Sequence, residues 1–153
     1  MSEHPLSEFG QKAWTKKHLF IGRFVNDIKG LSVLMEIKWT SGFDDFDDAY
    51  LVRKNVFVFE QNVDESIEID EFDSVSIHIV IYDNALPIAT GRIFKMDKLA
   101  VIGRVSVLKD YRGKNVGKML MEKLLEKAES MNPEAIKLDS QLHAIEFYRQ
   151  FWI

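Results

Sequence analysis

A short loop with two glycines and several basic residues is the segment of this sequence best suited to do chemistry. It runs from Arg112 to Lys118, after a β-branched run at residues 99–108 and before a helical pattern. A strand, a glycine-bearing loop and a helix start together direct backbone N–H groups and the positive helix end at one point. Arg112, Lys114 and Lys118 would add side-chain charge there. The segment predicts a phosphate or pyrophosphate site, although basic residues before a surface helix are often merely solvated.

The helix that must present this loop is the clearest in the sequence. Apolar residues recur at helical spacing from Val116 to Ala128, and charged residues occupy the other face. Asn132-Pro133 ends the pattern, because proline cannot continue a helix. Beyond it, residues 135–139 predict a short strand and residues 141–151 a last helix.

Upstream of the loop, one helical pattern gives way to a group of strands. An acidic start at residues 44–48 predicts a helix. Its inner face carries Phe46, Ala49, Tyr50, Arg53, Val56 and Phe57. Residues 75–82 alternate as a strand does, Asp83-Asn84 predicts a turn, and residues 86–94 predict the returning strand of a hairpin. With a strand-like run at residues 34–39, this order predicts a mixed α+β fold.

Length and composition exclude several classes of protein. The chain has 153 residues, of which 46% are hydrophobic and 29% charged, as expected for one soluble globular domain. The absence of cysteine excludes disulfides, thiolate metal sites and a cysteine nucleophile, and no metal site is predicted. No apolar run approaches the roughly 18 residues that a membrane helix needs, and no signal peptide is recognisable. We therefore predict a cytoplasmic protein without a membrane partner.

The net charge of −4 conceals two regions of opposite sign. Residues 43–91 hold two basic and twelve acidic side chains, whereas residues 92–153 hold twelve basic and eight acidic ones. We expect the first region to attract cations and the second anions, unless the acidic stretch is only a solvated surface. The acidic balance argues against nucleic-acid binding, which needs a basic surface.

The loop also resembles the motif of a known family. Arg112-Gly113-Lys114-Asn115-Val116-Gly117 resembles the acetyl-CoA motif Gln/Arg-x-x-Gly-x-Gly/Ala of the GNAT N-acetyltransferase superfamily. Gln141-x-x-Ala144-x-x-x-Tyr148 resembles the later Asn-x-x-Ala-x-x-x-Tyr element of that family. A bacterial subgroup of predicted acyltransferases is similar at Arg53-x-x-Val56-Phe57-x-x-Glu60-Gln61, at Asp70-x-x-Asp73 and at His78. These matches extend over residues 35–153 in the order of the family.

The resemblance implies a GNAT-like fold, with a mixed and mostly antiparallel central sheet flanked by helices. It also implies an acetyl-CoA-dependent N-acyltransferase that acts on a small amine by direct attack in a ternary complex. The CoA pyrophosphate would be held by Arg112, Gly113, Lys114, Asn115, Val116, Gly117 and Lys118. The pantetheine arm would pair with the backbone of Val105 and Val107 like an additional strand, and a splayed strand N–H there would polarise the thioester carbonyl.

Three residues are candidates for proton transfer. The resemblance makes Tyr148 the general acid that protonates the departing thiolate, with a core aromatic as the plain alternative. Glu60 and His78 are candidate bases for the amine. A solvated helix-end glutamate and a strand-face histidine would explain them equally well. The acidic segment at residues 64–73 would suit a cationic amine.

Two departures from the family bear on activity. Asn115 replaces a glycine of the motif, although asparagine tolerates left-handed backbone better than most residues. The sequence ends at Phe151-Trp152-Ile153, where the family continues into two further strands, so we expect the last strands to be missing and a sheet edge to be exposed.

The domain organisation and the rival functions follow from these departures. Residues 1–34 are predicted to be an N-terminal extension of uncertain origin. Either it is foreign to the domain, or its apolar run at residues 19–25 packs on the surface left by the missing strands. Residues 35–153 would form the acyltransferase domain. The alternatives to an enzyme are a degenerate, non-catalytic acyl-CoA-binding domain and a protein-interaction module, and a homodimer is compatible with any of them.

Overall fold

A six-stranded sheet organises the protein in the computed structural model, which describes residues 23–28, 31–140 and 144–151. The strands are β1 (Arg23–Ile28), β2 (Leu31–Ser41), β3 (Ile77–Asp83), β4 (Leu86–Met96), β5 (Leu99–Val107) and β6 (Ala135–Leu138). They are ordered from β1 to β6 across the sheet. Neighbours are antiparallel except β5 and β6, which are parallel. The predicted mixed, mostly antiparallel α+β fold is confirmed.

The helices lie between β2 and β3, between β5 and β6, and after β6. They are α1 (Asp47–Arg53), α2 (Glu65–Glu68), α3 (Val116–Ser130) and α4 (Ile145–Arg149). A π-helical segment, Lys54–Glu60, continues α1, and short 3₁₀ turns lie at Asp73–Val75 and Lys109–Tyr111. No helix in the described ranges is both long and apolar enough to cross a membrane.

The two faces of the sheet are covered by different helices. Ile79 and Ile81 of β3 pack in one apolar cluster with Leu120 of α3, whereas Val80 packs in a second cluster with residues of α1. Successive side chains of a strand point to opposite faces, so α1 and α3 lie on opposite sides of the sheet. The central strands are therefore buried on both faces, which explains why their sequences are apolar almost throughout.

Gly91 of β4 allows close packing of α3 on the sheet. A Cβ atom added there would lie 2.7 Å from Cδ1 of the buried Leu124. We expect Gly91→Ala to lower the free energy of unfolding by about 1–3 kcal/mol, because the leucine must leave its rotamer. Gly103→Ala is the matched control, since its Cβ would meet nothing closer than Asp139 Cβ at 3.5 Å. Chemical denaturation measures both changes, and an equal effect of the two variants would contradict this account of Gly91.

The beginning of the sheet differs from the prediction. The strand expected from residue 34 starts at Leu31, and a further strand, β1, pairs with it from Arg23. The extension was expected to cover the surface left by missing strands, next to the end of the domain. The described part of its apolar run, residues 23–25, instead belongs to β1, at the sheet edge opposite β6. Residues 19–22 of that run lie outside the described residues.

The predicted helix boundaries are also shifted. The helix expected from residues 44–48 begins at Asp47, because Gly42 and Asp45 adopt positive φ in the preceding turn. The last helix begins at Ile145 rather than at residue 141, and residues 141–143 lie outside the described part.

Candidate functional site

A large cleft, about 1930 Å³ in volume, lies beside β5. One wall consists of the π-helical segment, α2 and the turn after α2, and the other of the loop before α3 together with α4. Val105, Val107 and Tyr148, which the sequence proposed for a site, line this cleft together with part of the loop at residues 112–118. The fold therefore brings these predicted residues to one place.

The strand β5 separates from β6 along this cleft. Parallel pairing with β6 extends only from Leu99 to Ile102, and Asp139 N–H then donates to the carbonyl of Ile102 at 2.8 Å. Among the described residues, β6 offers no partner to β5 beyond that point. The sheet is thus splayed, and the second half of β5 has an edge facing the cleft.

A β-bulge accompanies this separation. On the β4 side, Thr90 pairs with Ser106 and Arg92 pairs with Gly103, so two residues of β5 lie opposite Gly91. One of them, Arg104, has φ of +51°, an unusual value for a residue with a side chain. Such a bulge bends the strand and changes the direction of its side chains.

The backbone of Val107 faces the cleft. The neighbouring Leu108 N–H donates to the Ile88 carbonyl of β4 at 2.9 Å. Backbone groups of consecutive strand residues alternate in direction, so those of Val107 point to the other side. Arg112 Nε confirms this direction, because it donates to the Val107 carbonyl at 3.0 Å.

The loop between β5 and α3 forms a backbone turn at the end of this edge. Gly113 has φ of +73° and no heavy atom within 4 Å of an added Cβ, so it borders open space. Asn115 has φ of +64° directly before the first residue of α3. The asparagine thus keeps the left-handed conformation that a glycine would have there. Gly113, Asn115 and Lys118 line the cleft at the positive end of a fifteen-residue helix.

Other residues of the predicted loop have different roles. Lys114 Nζ donates to the carbonyl of Asp110 at 2.8 Å, and Val116 is buried in the core; neither lines the cleft. Gly117 does line it, but an added Cβ would meet the Phe147 ring at 3.1 Å. Gly117 therefore also allows α3 and α4 to approach each other, and its predicted contact with a pyrophosphate stays a prediction.

Glu60 is held by Arg112. The π-helical segment places its carboxylate against the guanidinium, with one hydrogen bond from Nη2 to Oε2 at 2.8 Å and a second between Nη1 and Oε1. Hydrogen bonding to Arg112 lowers the pKa of Glu60, so this carboxylate is a poorer proton acceptor than an ordinary glutamate. The structure argues against Glu60 as the base and gives it instead the role of fixing Arg112 beside the cleft.

His78 is enclosed by protein and does not line the cleft. Its side chain is fully buried, its Nε2 donates to the carbonyl of Asp73 at 3.2 Å, and its ring packs 5.0 Å from the Phe46 ring. Burial lowers the pKa of His78 and favours the neutral ring. A base must reach the proton that it removes. His78 is therefore a structural residue here, which corrects the prediction.

Three of the six carboxylates in the acidic segment at residues 64–73 pair with arginines from other parts of the chain. Six side chains form what we call the ion-pair cluster: Arg53, Glu68, Asp70, Asp73, Arg92 and Arg104. Arg53 Nη1 contacts Asp73 Oδ1 at 2.6 Å and Arg92 Nη1 contacts Asp70 Oδ1 at 2.6 Å. Three of the expected cation-attracting carboxylates are therefore paired within the protein. The sequence signals for this cluster were Arg53 on an otherwise apolar helix face and the motif Asp70-x-x-Asp73.

Tyr148 is a buried residue that lines the cleft. It is 5% exposed, and its ring packs edge-on against Phe147, the residue that contacts Gly117. Burial raises the pKa of the Tyr148 hydroxyl, and the charge of Asp139 adds to the effect. The hydroxyl thus stays protonated at neutral pH, as a proton donor must. No group of His, Asp or Glu in the described ranges is arranged to hold a metal ion.

The sequence and the fold are similar to those of known proteins. The family model described as "Acetyltransferase (GNAT) family" matches residues 35–151. The uncharacterized N-acetyltransferase YjcF of Bacillus subtilis is 39% identical over 103 residues, 67% of this chain and 74% of its own length. The crystal structure of Escherichia coli ElaA is similar with a TM-score of 0.68 and 32% identity, covering 76% of this chain and 85% of that one.

An acyl-CoA N-acyltransferase from Pseudomonas aeruginosa also has a TM-score of 0.68, at 25% identity over 76% of this chain and 86% of that one. A splayed strand ending in a turn at a helix N-terminus, with a buried tyrosine opposite, is thus found in a chain that the family model matches over most of its length. The chain belongs to the GNAT family of acetyltransferases, which use acyl-CoA donors.

Proposed function

We propose that the protein transfers an acetyl group from acetyl-CoA to a small amine by direct attack within a ternary complex. The observation that carries this proposal is the exposed edge of β5, which runs from the bulge at Arg104 into the backbone turn before α3. An extended polyamide arm can pair with such an edge as a strand does. A pyrophosphate suits the helix N-terminus that follows it.

The residues present fit the donor. The open space beside Gly113 leaves room for phosphate oxygens against the backbone, and Lys118 supplies positive charge at the same place. Arg112, held by Glu60 and by the Val107 carbonyl, borders the cleft between this turn and the strand edge. Val105 and Val107 would align the arm of the donor with its acyl end toward the bulge.

Bound acetyl-CoA supplies an electrophilic carbonyl and a thiolate leaving group. The neutral amine nitrogen forms the new bond to the acyl carbon while the carbon–sulfur bond breaks. A strand N–H at the splayed edge would stabilise the negative charge that develops on the carbonyl oxygen. Tyr148 gives its proton to the thiolate, and the proton that leaves the nitrogen restores the tyrosine through water.

A second candidate function is a non-catalytic acyl-CoA-binding domain. The specific observation in its favour is that neither predicted base is placed to act: Glu60 is paired with Arg112, and His78 lies outside the cleft. Direct transfer then depends on water to deprotonate the amine. Turnover separates the two candidates, because only the enzyme releases CoA thiol in the presence of an amine.

Acetyl-CoA is expected to raise the melting temperature of the protein, and thiol release should depend on added amine. We expect Gly113→Ala to weaken acetyl-CoA binding on the order of tenfold, since its methyl group would occupy the open space beside the turn. The melting temperature without ligand records the separate cost of placing alanine at positive φ. No shift at millimolar acetyl-CoA would contradict both candidate functions, whereas a shift without thiol release would favour the non-catalytic one.

A further inference from the structure

One carboxylate oxygen of the ion-pair cluster is buried without a partner. Glu68 is 1% exposed and lines the cleft. Its Oε1 accepts from Arg53 Nε at 2.8 Å and lies 3.6 Å from Arg104 Nε. Its Oε2 has no hydrogen-bond partner among the described residues. Burying an acceptor without a donor is unfavourable, so a ligand N–H at this place would complete the bonding of Glu68.

A second buried polar atom in the cleft wall has a different environment. Arg92 Nε also has no hydrogen-bond partner in the described part of the chain. The guanidinium of Arg92, however, lies 5.9 Å from the centre of the Phe72 ring and 5.6 Å from that of Phe94. The aromatic faces interact favourably with a cation. Of these two atoms, Glu68 Oε2 is the better candidate for contact with a ligand. Gln61 Oε1, which also lacks a partner among the described residues of the cleft wall, belongs to a neutral amide and would attract a cation less strongly.

Glu68 is joined to the bulge of β5 through one arginine side chain. Arg104, the residue at the β5 bulge, donates from Nη2 to the Glu68 carbonyl at 3.2 Å and to Asp70 Oδ2 at 3.1 Å. One arginine side chain thus joins Glu68 to the strand edge that precedes Val105. An amine bound at Glu68 would lie in the same cleft as a carbonyl positioned by that edge.

The cleft around Glu68 has an apolar rim. The residues on either side of it, Ile67 and Ile69, are 59% and 39% exposed, and Met96 is 38% exposed. All three line the cleft, together with the stacked rings of Phe72 and Phe94. Exposed apolar side chains grouped around a cleft are typical of a ligand-binding surface.

We propose that Glu68 binds the ammonium group of the acceptor through Oε2 and that the rim binds an apolar body attached to that amine. This inference rests on the proposed function and names its substrate class, a primary amine on an alkyl or aryl body. Glu68 Oε1 already accepts from Arg53, so we assign Glu68 to binding, and deprotonation of the amine is left to water.

A series of linear primary alkylamines tests the apolar part on the unmodified protein. From ethylamine to hexylamine we expect kcat/KM in amine-dependent thiol release to rise by roughly fourfold per methylene group that enters the rim. The amines have similar basicity, so the rise reports contact area rather than nucleophilicity. A flat series with measurable thiol release would overturn the apolar part and leave the proposed function intact. If acetyl-CoA raises the melting temperature but no amine gives thiol release, the enzymatic function itself would be contradicted.

The Glu68→Gln variant tests the charged part. We expect its KM for hexylamine to rise at least tenfold, which is the effect of losing a hydrogen bond between charged groups, while acetyl-CoA binding changes less than twofold. Glu71→Gln is the matched control, because Glu71 is an exposed carboxylate that also lines the cleft. Equal KM values for the two variants would overturn the role of Glu68.

A neutral ligand separates this role from a loss of folding. Hexan-1-ol has the same apolar body without the charge, so it should inhibit the unmodified protein and Glu68→Gln with similar inhibition constants. If the alcohol also loses affinity tenfold in the variant, the substitution has disturbed the cleft as a whole, and the assignment of the ammonium group to Glu68 is wrong.

Discussion

Replacing Tyr148 by phenylalanine is expected to lower kcat for amine-dependent thiol release by about 10²- to 10⁴-fold, the range for loss of a general acid. The rise in melting temperature that acetyl-CoA causes should be unchanged, because the substitution removes one oxygen from a ring that stays packed against Phe147. Steady-state kinetics and thermal denaturation measure the two effects. The matched control is Tyr111→Phe, which removes a hydroxyl that donates to Asp83 Oδ2 at 2.7 Å and does not line the cleft.

The pH dependence of kcat gives a second readout for Tyr148. Burial raises the pKa of its hydroxyl above the ordinary value near 10, so the unmodified enzyme keeps its proton donor throughout the neutral and mildly alkaline range. No fall in kcat from titration of Tyr148 is therefore expected below about pH 10. A similar kcat for Tyr148→Phe and Tyr111→Phe would show that the thiolate takes its proton from another group.

The loop and its helix could be predicted because their signals are local. Apolar spacing from Val116 to Ala128, proline after the helix and glycine in the loop act within a few residues of one another. The left-handed conformation of Asn115 likewise follows from the residue type and its place before the helix. Local backbone preferences of this kind are confirmed by the structure.

The surroundings of the candidate catalytic residues could not be predicted in the same way. Arg53 meets Glu68 and Asp73 at separations of 15 and 20 residues, and Arg112 meets Glu60 across 52. These pairs form only when the folded sheet brings distant connecting segments together. The local spacing of apolar and polar residues does not predict that placement. The same reason explains the misplaced start of the sheet, because the strand at Leu31 is stabilised by pairing with β1 and β3.

A buried charge cluster next to the cleft links stability and function. The carboxylates that looked suited to bind a free cation from solvent are used to hold α2, the 3₁₀ turn at Asp73–Val75 and β4 together. Burying these charges is tolerable only while each has its partners. The ion pairs therefore stabilise the cleft wall that carries Glu68, and Asp73 contributes most because it contacts both Arg53 and Arg92.

Asp73→Asn is expected to lower the free energy of unfolding by about 3–5 kcal/mol, the usual effect of removing one partner from a buried ion pair. Asp73 is fully buried and accepts from Arg53 Nη1 at 2.6 Å, from Arg92 Nη1 at 2.9 Å and from the backbone N–H of Asp70 at 2.9 Å. Asparagine has nearly the same shape as aspartate, but the buried guanidinium groups of Arg53 and Arg92 then lack the negative charge of Asp73. Asp45→Asn is the control, because its pair with Lys38 is exposed and is expected to contribute at most about 1 kcal/mol.

The same variant should change how stability depends on pH. Burial alone would raise the pKa of Asp73. Hydrogen bonds and charges from Arg53 and Arg92 outweigh this effect and lower the pKa far below its ordinary value in the folded protein. A carboxyl group with a depressed folded-state pKa contributes stability that is fully present above the unfolded-state pKa, near 4, and is lost as the pH falls below it. Urea denaturation between pH 3 and pH 7 should therefore show a steep acid loss in the unmodified protein and in Asp45→Asn, but a shallower one in Asp73→Asn. Parallel curves for all three proteins would mean that Asp73 titrates normally and that the arginines do not stabilise its charge.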